Sequence, residues 1–264
     1  MMPEPMTPPM IELQDVAKSF DGGATHAVEG TNLVIEAGGF VALVGGSGSG
    51  KTTTLKMING LIRADRGRIS VGGEDISAVP PHLLRRRIGY VFQEVGLFPH
   101  FSVAENIGIT PKLMGEPKAQ IEARVGELLD LVSLPRDYAA RRPAALSGGQ
   151  RQRVGVARAL AAKPKLMLMD EPFGALDPVT RDALGNEYRQ LHDSLGLTTL
   201  MVTHDITEAV LLADRVVIMD KGRVRAQGRP AELLASSDAM VRGLMETPRR
   251  QAERVRERLE PAHE

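Results

Sequence analysis

The chain has 264 residues, enough for one large domain or two small ones around a buried core. Lys plus Arg and Asp plus Glu balance at 33 each, so no global field recruits nucleic acid or anionic lipid. The absence of cysteine excludes disulfides, cysteine–zinc centres and thiol catalysis, and it fits a reducing cytoplasm.

In chain order, residues 1–9 read as a flexible, proline-rich leader without the basic and apolar regions of a secretory signal. "MIELQDVAKSF" alternates as a strand. "TNLVIEAGGFVALVGG" reads as two strands broken at Ala37-Gly38-Gly39. "KTTTLKMINGLI" has helical spacing, with Leu55, Ile58 and Ile62 on one side. "RISV" and "IGYVF" are short strands with one helical turn, "HLLRRR", between them. From about Ser102 to Lys163 the pattern turns helical, and this segment reads as an insert.

Strands return in "KLMLMDEP", "LTTLMVTHD" and "RVVIMDKGRV", alternating with helices from Pro178 to Leu195 and Ile206 to Ala213. That alternation predicts a largely parallel α/β core, with a Lys-Gly hairpin turn inside "MDKGRV". The domain is expected over residues 10–240, followed by a charged tail over 241–264. In the tail only Val255 and Leu259 share an apolar face, so it reads as a solvated helix. No apolar run approaches the ~20 residues of a spanning helix, so any membrane role must come through a partner.

Gly45-Gly46-Ser47-Gly48-Ser49-Gly50-Lys51-Thr52 matches G-x-x-x-x-G-K-[ST] and lies between an apolar strand and a helix. Glycines let backbone N–H groups wrap phosphates. Lys51 reaches the β- and γ-phosphates, and Thr52 offers a hydroxyl to Mg²⁺. Asp170, at the end of the buried strand "LMLMD", supplies a second metal ligand, and Glu171 suits the polarisation of an attacking water. His204 and Gln93 end two other apolar strands and belong at the same sheet edge. His204 suits γ-phosphate contact, and the Gln93 amide suits Mg²⁺ or water. Ser147, Gly148, Gly149 and Gln150, within "LSGGQRQR", form a second anion-shaped helix start, which raises the question of what it holds.

The P-loop, Gln93, "LSGGQ", "LMLMDE", "GALD" and His204 occur in the order found in ATP-binding-cassette ATPases, and the resemblance runs from about Ile11 to Leu234. It implies a P-loop α/β core with a small antiparallel β subdomain and an inserted helical signature subdomain. It also implies ATP and Mg²⁺ as ligands, with Thr53 beside the P-loop lysine and Phe20 stacked on adenine. Two such chains would meet head to tail. Ser147, Gly148, Gly149 and Gln150 of one would then close on ATP held by the other, with Ala175, Leu176 and Asp177 along the seam. The second loop is thereby expected to hold the partner's nucleotide.

"TTTLKMINGLI", "IGYVFQEVGLFPHFSVAENI" and "DEPFGALDPVTRDAL" resemble the ATPase subunits of bacterial quaternary-amine importers, whose cargoes are glycine betaine, choline, carnitine or proline betaine. The resemblance implies permease subunits docking near the Gln93 loop, an extracytoplasmic binding protein, and a peripheral place on the cytoplasmic face of the cell membrane. Val95, Leu97, Phe98 and Phe101 are either part of that docking surface or core under the loop. Gly46 stands where this branch usually has proline, and Phe20 where Tyr or Trp is commoner. The sequence stops soon after "PAELLA", so gating by appended regulatory domains is not expected. Alternative readings are import of another amino acid or organic cation, or a soluble cassette acting on DNA, ribosomes or Fe–S assembly. The last lacks support from a coiled coil, zinc motif, second cassette or basic stripe.

Overall fold

In the computed structural model, residues 8–259 are described. Most of the expected leader, and the last residues of the expected tail, lie outside that range. Two sheets enclose one hydrophobic cluster between them, and a second cluster lies between the larger sheet and the helices. β1 (Ile11–Ser19) and β2 (His26–Ile35) form an antiparallel pair. β3 (Phe40–Val44) follows and ends at the P-loop, from which α1 (Lys51–Ile58) starts. β4 (Arg66–Val71) and β5 (Glu74–Asp75) complete a four-stranded antiparallel sheet of order β2-β1-β4-β5. The short α2 (Pro81–Arg86) leads into β6 (Ile88–Val91).

The helical segment comprises α3 (Val103–Leu113), α4 (Lys118–Leu131) and α5 (Gly148–Leu160), with single 3-10 turns between α4 and α5. β7 (Leu166–Asp170), α6 (Pro178–Leu195), β8 (Thr198–Val202), α7 (Ile206–Leu212) and β9 (Arg215–Asp220) then alternate. β10 (Arg223–Gly228), α8 (Pro230–Leu234) and α9 (Ala239–Leu259) close the fold. The larger sheet runs β10-β9-β3-β8-β7-β6, parallel except for β10.

The period-2 geometry of strands divides the core. Phe40, Ala42 and Val44 of β3 face the helices, while Val41 and Leu43 face α1 and the antiparallel sheet. Met167 and Met169 against Leu166 and Leu168 repeat this on β7. Such strands bury both faces, hence their unbroken apolar runs. Lys221 and Gly222, both at positive φ, make the two-residue hairpin that pairs Asp220 with Arg223.

Several boundaries differ from the sequence reading. β2 starts at His26, five residues before the expected Thr31, because antiparallel pairing with β1 carries the polar start of the strand. α1 stops at Ile58 because Gly60 takes a left-handed conformation, and Ile62 lies beyond the helix. The division at residue 240 falls inside α9, whose first turns bury Val241 and Met245 against the core. Val255 and Leu259 are exposed. Among the described residues no helix is long and apolar enough to cross a membrane.

Candidate active site

Because β3, β6, β7 and β8 run parallel, their carboxyl ends share one edge, and the polar residues that follow them converge there. The P-loop leaves β3 in a path that two glycines make possible. A Cβ at Gly45 would lie 2.2 Å from the Met219 carbonyl oxygen, and one at Gly50 2.3 Å from that of Ala27. Gly46 has open space around it, so the departure from proline there makes no steric demand. Gly46, Ser47 and Gly48 are exposed, and among the described residues their amides donate to no protein acceptor. Ser49 is buried, and its carbonyl accepts from Gly222 N–H at 3.1 Å. Lys51 Nζ donates to the carbonyls of Gly45 (2.8 Å) and Gly46 (2.9 Å). Burial pulls the Lys51 ammonium pKa down, and the carboxylates of Glu171 and Asp170 oppose that shift.

Thr52 and Thr53 occupy the first turn of α1, and both are half-buried. Thr52 Oγ1 donates to Asp170 Oδ1 at 2.9 Å, which joins the P-loop helix to the end of β7. Burial raises the Asp170 carboxyl pKa, and the bond from Thr52 holds it back. Glu171 then turns sharply, with φ at 46°, in a region that non-glycine residues rarely occupy. Its amide donates to the Val202 carbonyl at 2.9 Å, its Oε2 accepts from Gln93 Nε2 at 3.2 Å, and His204 Nδ1 lies 3.2 Å from the same oxygen. Gln93 and His204 each lie two residues beyond their strands, not at the strand ends as read from sequence. Phe20 lies in the β1–β2 turn with its ring 65% exposed, and the Lys18 ammonium sits 5.5 Å from the ring centroid. Asp65 holds Lys18 at 2.6 Å.

The second loop is a separate construction. Ser147 caps α5 and exchanges bonds with Gln150: Gln150 N–H donates to Ser147 Oγ at 3.3 Å, and Ser147 N–H donates to Gln150 Oε1 at 2.9 Å. Gly148 faces Leu176, whose Cδ2 would lie 3.7 Å from a Cβ there. A Cβ at Gly149 would meet Thr180 Cγ2 at 2.9 Å, so the approach of α6 requires glycine at this position. Asp177 caps α6 by accepting from Thr180 N–H at 3.0 Å, and this bond holds its carboxyl below the usual range. Among the described residues no hydrogen bond joins Ser147–Gln150 to Gly45–Thr53. One chain thus assembles Lys51, Thr52, Gln93, Asp170, Glu171 and His204, and leaves the α5 start elsewhere.

Residues 28–174 match the family model described as ABC transporter. The chain belongs to that family. It is 53% identical over 225 residues to a glycine betaine uptake system ATP-binding protein of Escherichia coli, covering 85% of this chain and 72% of that protein. It is 50% identical to a choline transport ATP-binding protein of Bacillus subtilis, but spans only 59% of that protein's length. A dimeric ATP-binding cassette solved in a post-hydrolysis state with ADP and Pi superposes with a TM-score of 0.76. That structure is 32% identical, and the match covers 83% of this chain and 98% of that one. The protein is therefore an ATP-binding, ATP-hydrolysing ABC cassette.

Within this ABC ATPase, two further features bear on the site. The sequence reading missed Arg158, a buried residue of α5 that donates to the carbonyls of Val95 and Gly96, each at 2.6 Å. The available signal was a lone arginine in the apolar run "VGVARAL". The four apolar residues after Gln93 divide their roles. Leu97 packs on the core and Val95 packs over Gly155, while Phe98 is 40% exposed beside Phe101. Asn106, fully buried, ties down Phe98 and Phe101 through their backbone groups. Beyond them an open groove of about 1000 Å³ lies between α3 and α4, lined by Phe101, Ala104, Ile109, Leu113 and Ile121 among others.

Proposed function

We propose that this ABC ATPase energises the import of a quaternary amine of the glycine betaine and choline class, firing at composite sites between two copies. The observation that carries the reading is Glu171. Its carboxylate is bracketed by Gln93 and His204 beside the P-loop, while the chain's other phosphate-shaped loop stands apart. With Gln93 donating to one carboxylate oxygen and His204 beside that same oxygen, Glu171 keeps its other oxygen free to orient water and take its proton. His204 and Gln93 hold that carboxylate in place and lie within reach of the γ-phosphate. Lys51 exchanges the carbonyls of Gly45 and Gly46 for the β- and γ-phosphates, and the free amides of Gly46, Ser47 and Gly48 complete the cradle with those of Gly50 and Thr53, while the Ser49 amide closes the loop onto the Gly46 carbonyl at 3.2 Å. Phe20 offers its exposed face to adenine.

Mg²⁺ fits the donor set. Among the described residues no cluster of three metal-ligating side chains exists, whereas Thr52 hydroxyl and Asp170 carboxylate meet at 2.9 Å. Two hard oxygen donors completed by phosphate and water oxygens suit Mg²⁺, not a cation needing an all-protein cage. Thr52 and Asp170 would hold it, with Gln93 nearby, and it would neutralise charge on the phosphates.

In the dimer, Ser147, Gly148, Gly149 and Gln150 present the positive end of α5 to the partner's γ-phosphate, with Asp177 along the seam. The exposed part of the Gln93 loop and the α3–α4 groove receive permease subunits on the cytoplasmic face. An extracytoplasmic binding protein delivers the cargo. Nucleic acid is not among the partners.

Uptake of labelled glycine betaine and choline into vesicles carrying this chain with the permease and binding protein from adjacent genes tests the cargo. ATP-dependent accumulation is expected. A binding protein that gives no calorimetric signal with any quaternary ammonium compound overturns the cargo and leaves the ATPase assignment standing.

A further inference from the structure

We infer that Arg158 is a positioning residue of the ATPase reaction: it locks the turn that follows Gln93 onto α5, the helix whose start faces the second copy. The inference deepens the reading above and rests on the place of Gln93 in the Glu171 cluster.

Arg158 is buried, and its only polar partners among the described residues are two backbone carbonyls. No carboxylate pairs with it, and burial alone pulls its pKa down. A guanidinium is costly to bury without a counter-ion, and an apolar residue of similar length would satisfy packing alone. The carbonyls it serves are unusual too. Val95 and Gly96 sit at φ 56° and 55°, and a β-branched residue in that region persists only where its surroundings hold it there. Their amides turn back to Phe92 and Glu94, so the segment folds tightly immediately after Gln93. The guanidinium fork spans the two consecutive carbonyls, and it lies 5.8 Å from the Phe92 ring on the other side of Gln93.

Gly155 makes the arrangement a surface of α5 and not one isolated contact. It precedes Arg158 by three positions and shares its helix face. A Cβ there would lie 2.8 Å from Val95 Cγ1, so the helix admits the turn with a glycine and grips it with an arginine. Gln93 is exposed and reaches Glu171 through a single 3.2 Å bond. Its position is therefore set from its base. When the fork is lost, Val95 is free to relax towards the β region, and Gln93 swings off Glu171. The same fork makes any displacement of the Gln93 turn a displacement of α5.

The test is a double-mutant cycle on ATP turnover with the full chain. Arg158→Gln should bind a fluorescent ATP analogue within about twofold of the wild-type Kd, because the P-loop is untouched. Its kcat should fall about tenfold with KM changed less than about twofold, the size expected for lost bonds to a charged donor. Arg158→Lys keeps charge without the fork and should fall between the two. The deciding measurement is Gln93→Ala combined with Arg158→Gln. If Arg158 acts through Gln93, the double variant turns over within about twofold of Gln93→Ala alone. A residue that merely holds the fold lowers kcat by the same factor in both backgrounds, and that result overturns the inference. So does wild-type kcat in Arg158→Gln. Should Arg158→Gln fail to melt cooperatively, Arg158→Lys carries the same cycle, with the same result expected and the same results overturning it. Gln93→Ala at the wild-type rate overturns the cluster reading and this inference together. A slow Gln93→Ala with multiplying losses overturns this inference alone.

Discussion

Gly45–Thr52 and Ser147–Gln150 are built from the same kinds of residue, and both run into the first turn of a helix. The first is finished by its own chain. Met219 and Ala27 carbonyls crowd Gly45 and Gly50, Lys51 folds over the loop, and Asp170 reaches Thr52 from the next strand but one. The second has a cap, and its nearest cation, Arg151, is turned back onto the Leu146 carbonyl at 2.8 Å. Ser147 and Gln150 satisfy one another, and the neighbours of Gly148 and Gly149 are apolar groups from Leu176, Thr180 and Leu184. A helix start that owns amides, but has its arginine engaged by a backbone carbonyl and no metal ligand beside it, offers only part of what a phosphate site needs. The contrast argues that the P-loop works as a complete nucleotide cradle and that the signature turn works only against something another molecule brings.

Removing the charge from the complete loop should have the largest effect. Lys51→Ala is expected to lower ATP turnover at least about a hundredfold, since an aimed cationic donor to the phosphates is lost. Steady-state phosphate release checks this, and turnover near wild type would remove the P-loop from the mechanism. Glu171→Gln comes next. It should lose about a hundredfold or more in kcat while still binding ATP, because the amide keeps the shape and loses the base. This variant with ATP should sediment as a dimer and revert to monomer when nucleotide is removed. A Glu171→Gln chain that stays monomeric at saturating ATP would leave the half-site unfilled and break the comparison.

The signature turn needs a more careful variant. Gly149→Asp drives its Cβ into Thr180 of the same chain, so its failure would report on α5–α6 packing as much as on phosphate. Gly148→Asp has only Leu176 at ordinary contact distance, so it places a negative charge at the helix start with little strain. It should abolish the ATP-driven dimer and leave monomer binding intact, again read by sedimentation and nucleotide fluorescence. Mixing Gly148→Asp with Lys51→Ala chains should restore part of the lost turnover. One site of the mixed pair collects both defects while the other has an intact P-loop and an intact signature. No recovery, in a mixture shown to form mixed pairs, would contradict the trans arrangement.

The motif residues are legible because phosphate chemistry restricts residue type, and because each strand ending in a polar residue is a run of apolar letters. "FVALV" and "LMLMD" belong on a parallel sheet by pattern alone, and α6 is framed by Asp177, Pro178 and Gly196. What stays hidden depends on pairing across long sequence separations. The start of β2 is polar and is a strand only because β1 lies beside it. Arg158 and Val95 are distant in sequence, and nothing in either local pattern announces the other. In the sequence Gly149 reads as access for phosphate, whereas the closest demand on it comes from Thr180. Rising charge density suggests a domain end at 240, but α9 is amphipathic and its first turns belong to the core.

The smallest expected effect separates the two regions by pH. His192, at the end of α6, is buried against Phe40 at the start of the strand that carries the P-loop, with ring centroids 5.1 Å apart. Its Nδ1 lies 3.0 Å from Thr199 Oγ1. Burial, with Arg189 adding to it, lowers its pKa from the ordinary 6.5. The unfolded chain therefore takes up a proton here at a higher pH than the folded one does. Where the unfolded state binds more protons, stability falls as pH falls, so the loss begins near 6.5 and continues down to the lowered native value. His192→Gln has no such proton to take up. Its melting midpoint should start lower, because the ring contact with Phe40 is lost, but it should drop less than the wild type between about pH 7.5 and pH 5.5. The signature cap is made of Ser147 and Gln150, neither of which titrates, so hydrogen exchange at the start of α5 should show no such slope beyond the global change. Equal slopes for wild type and His192→Gln would mean that the site under β3 carries no acid sensitivity of its own.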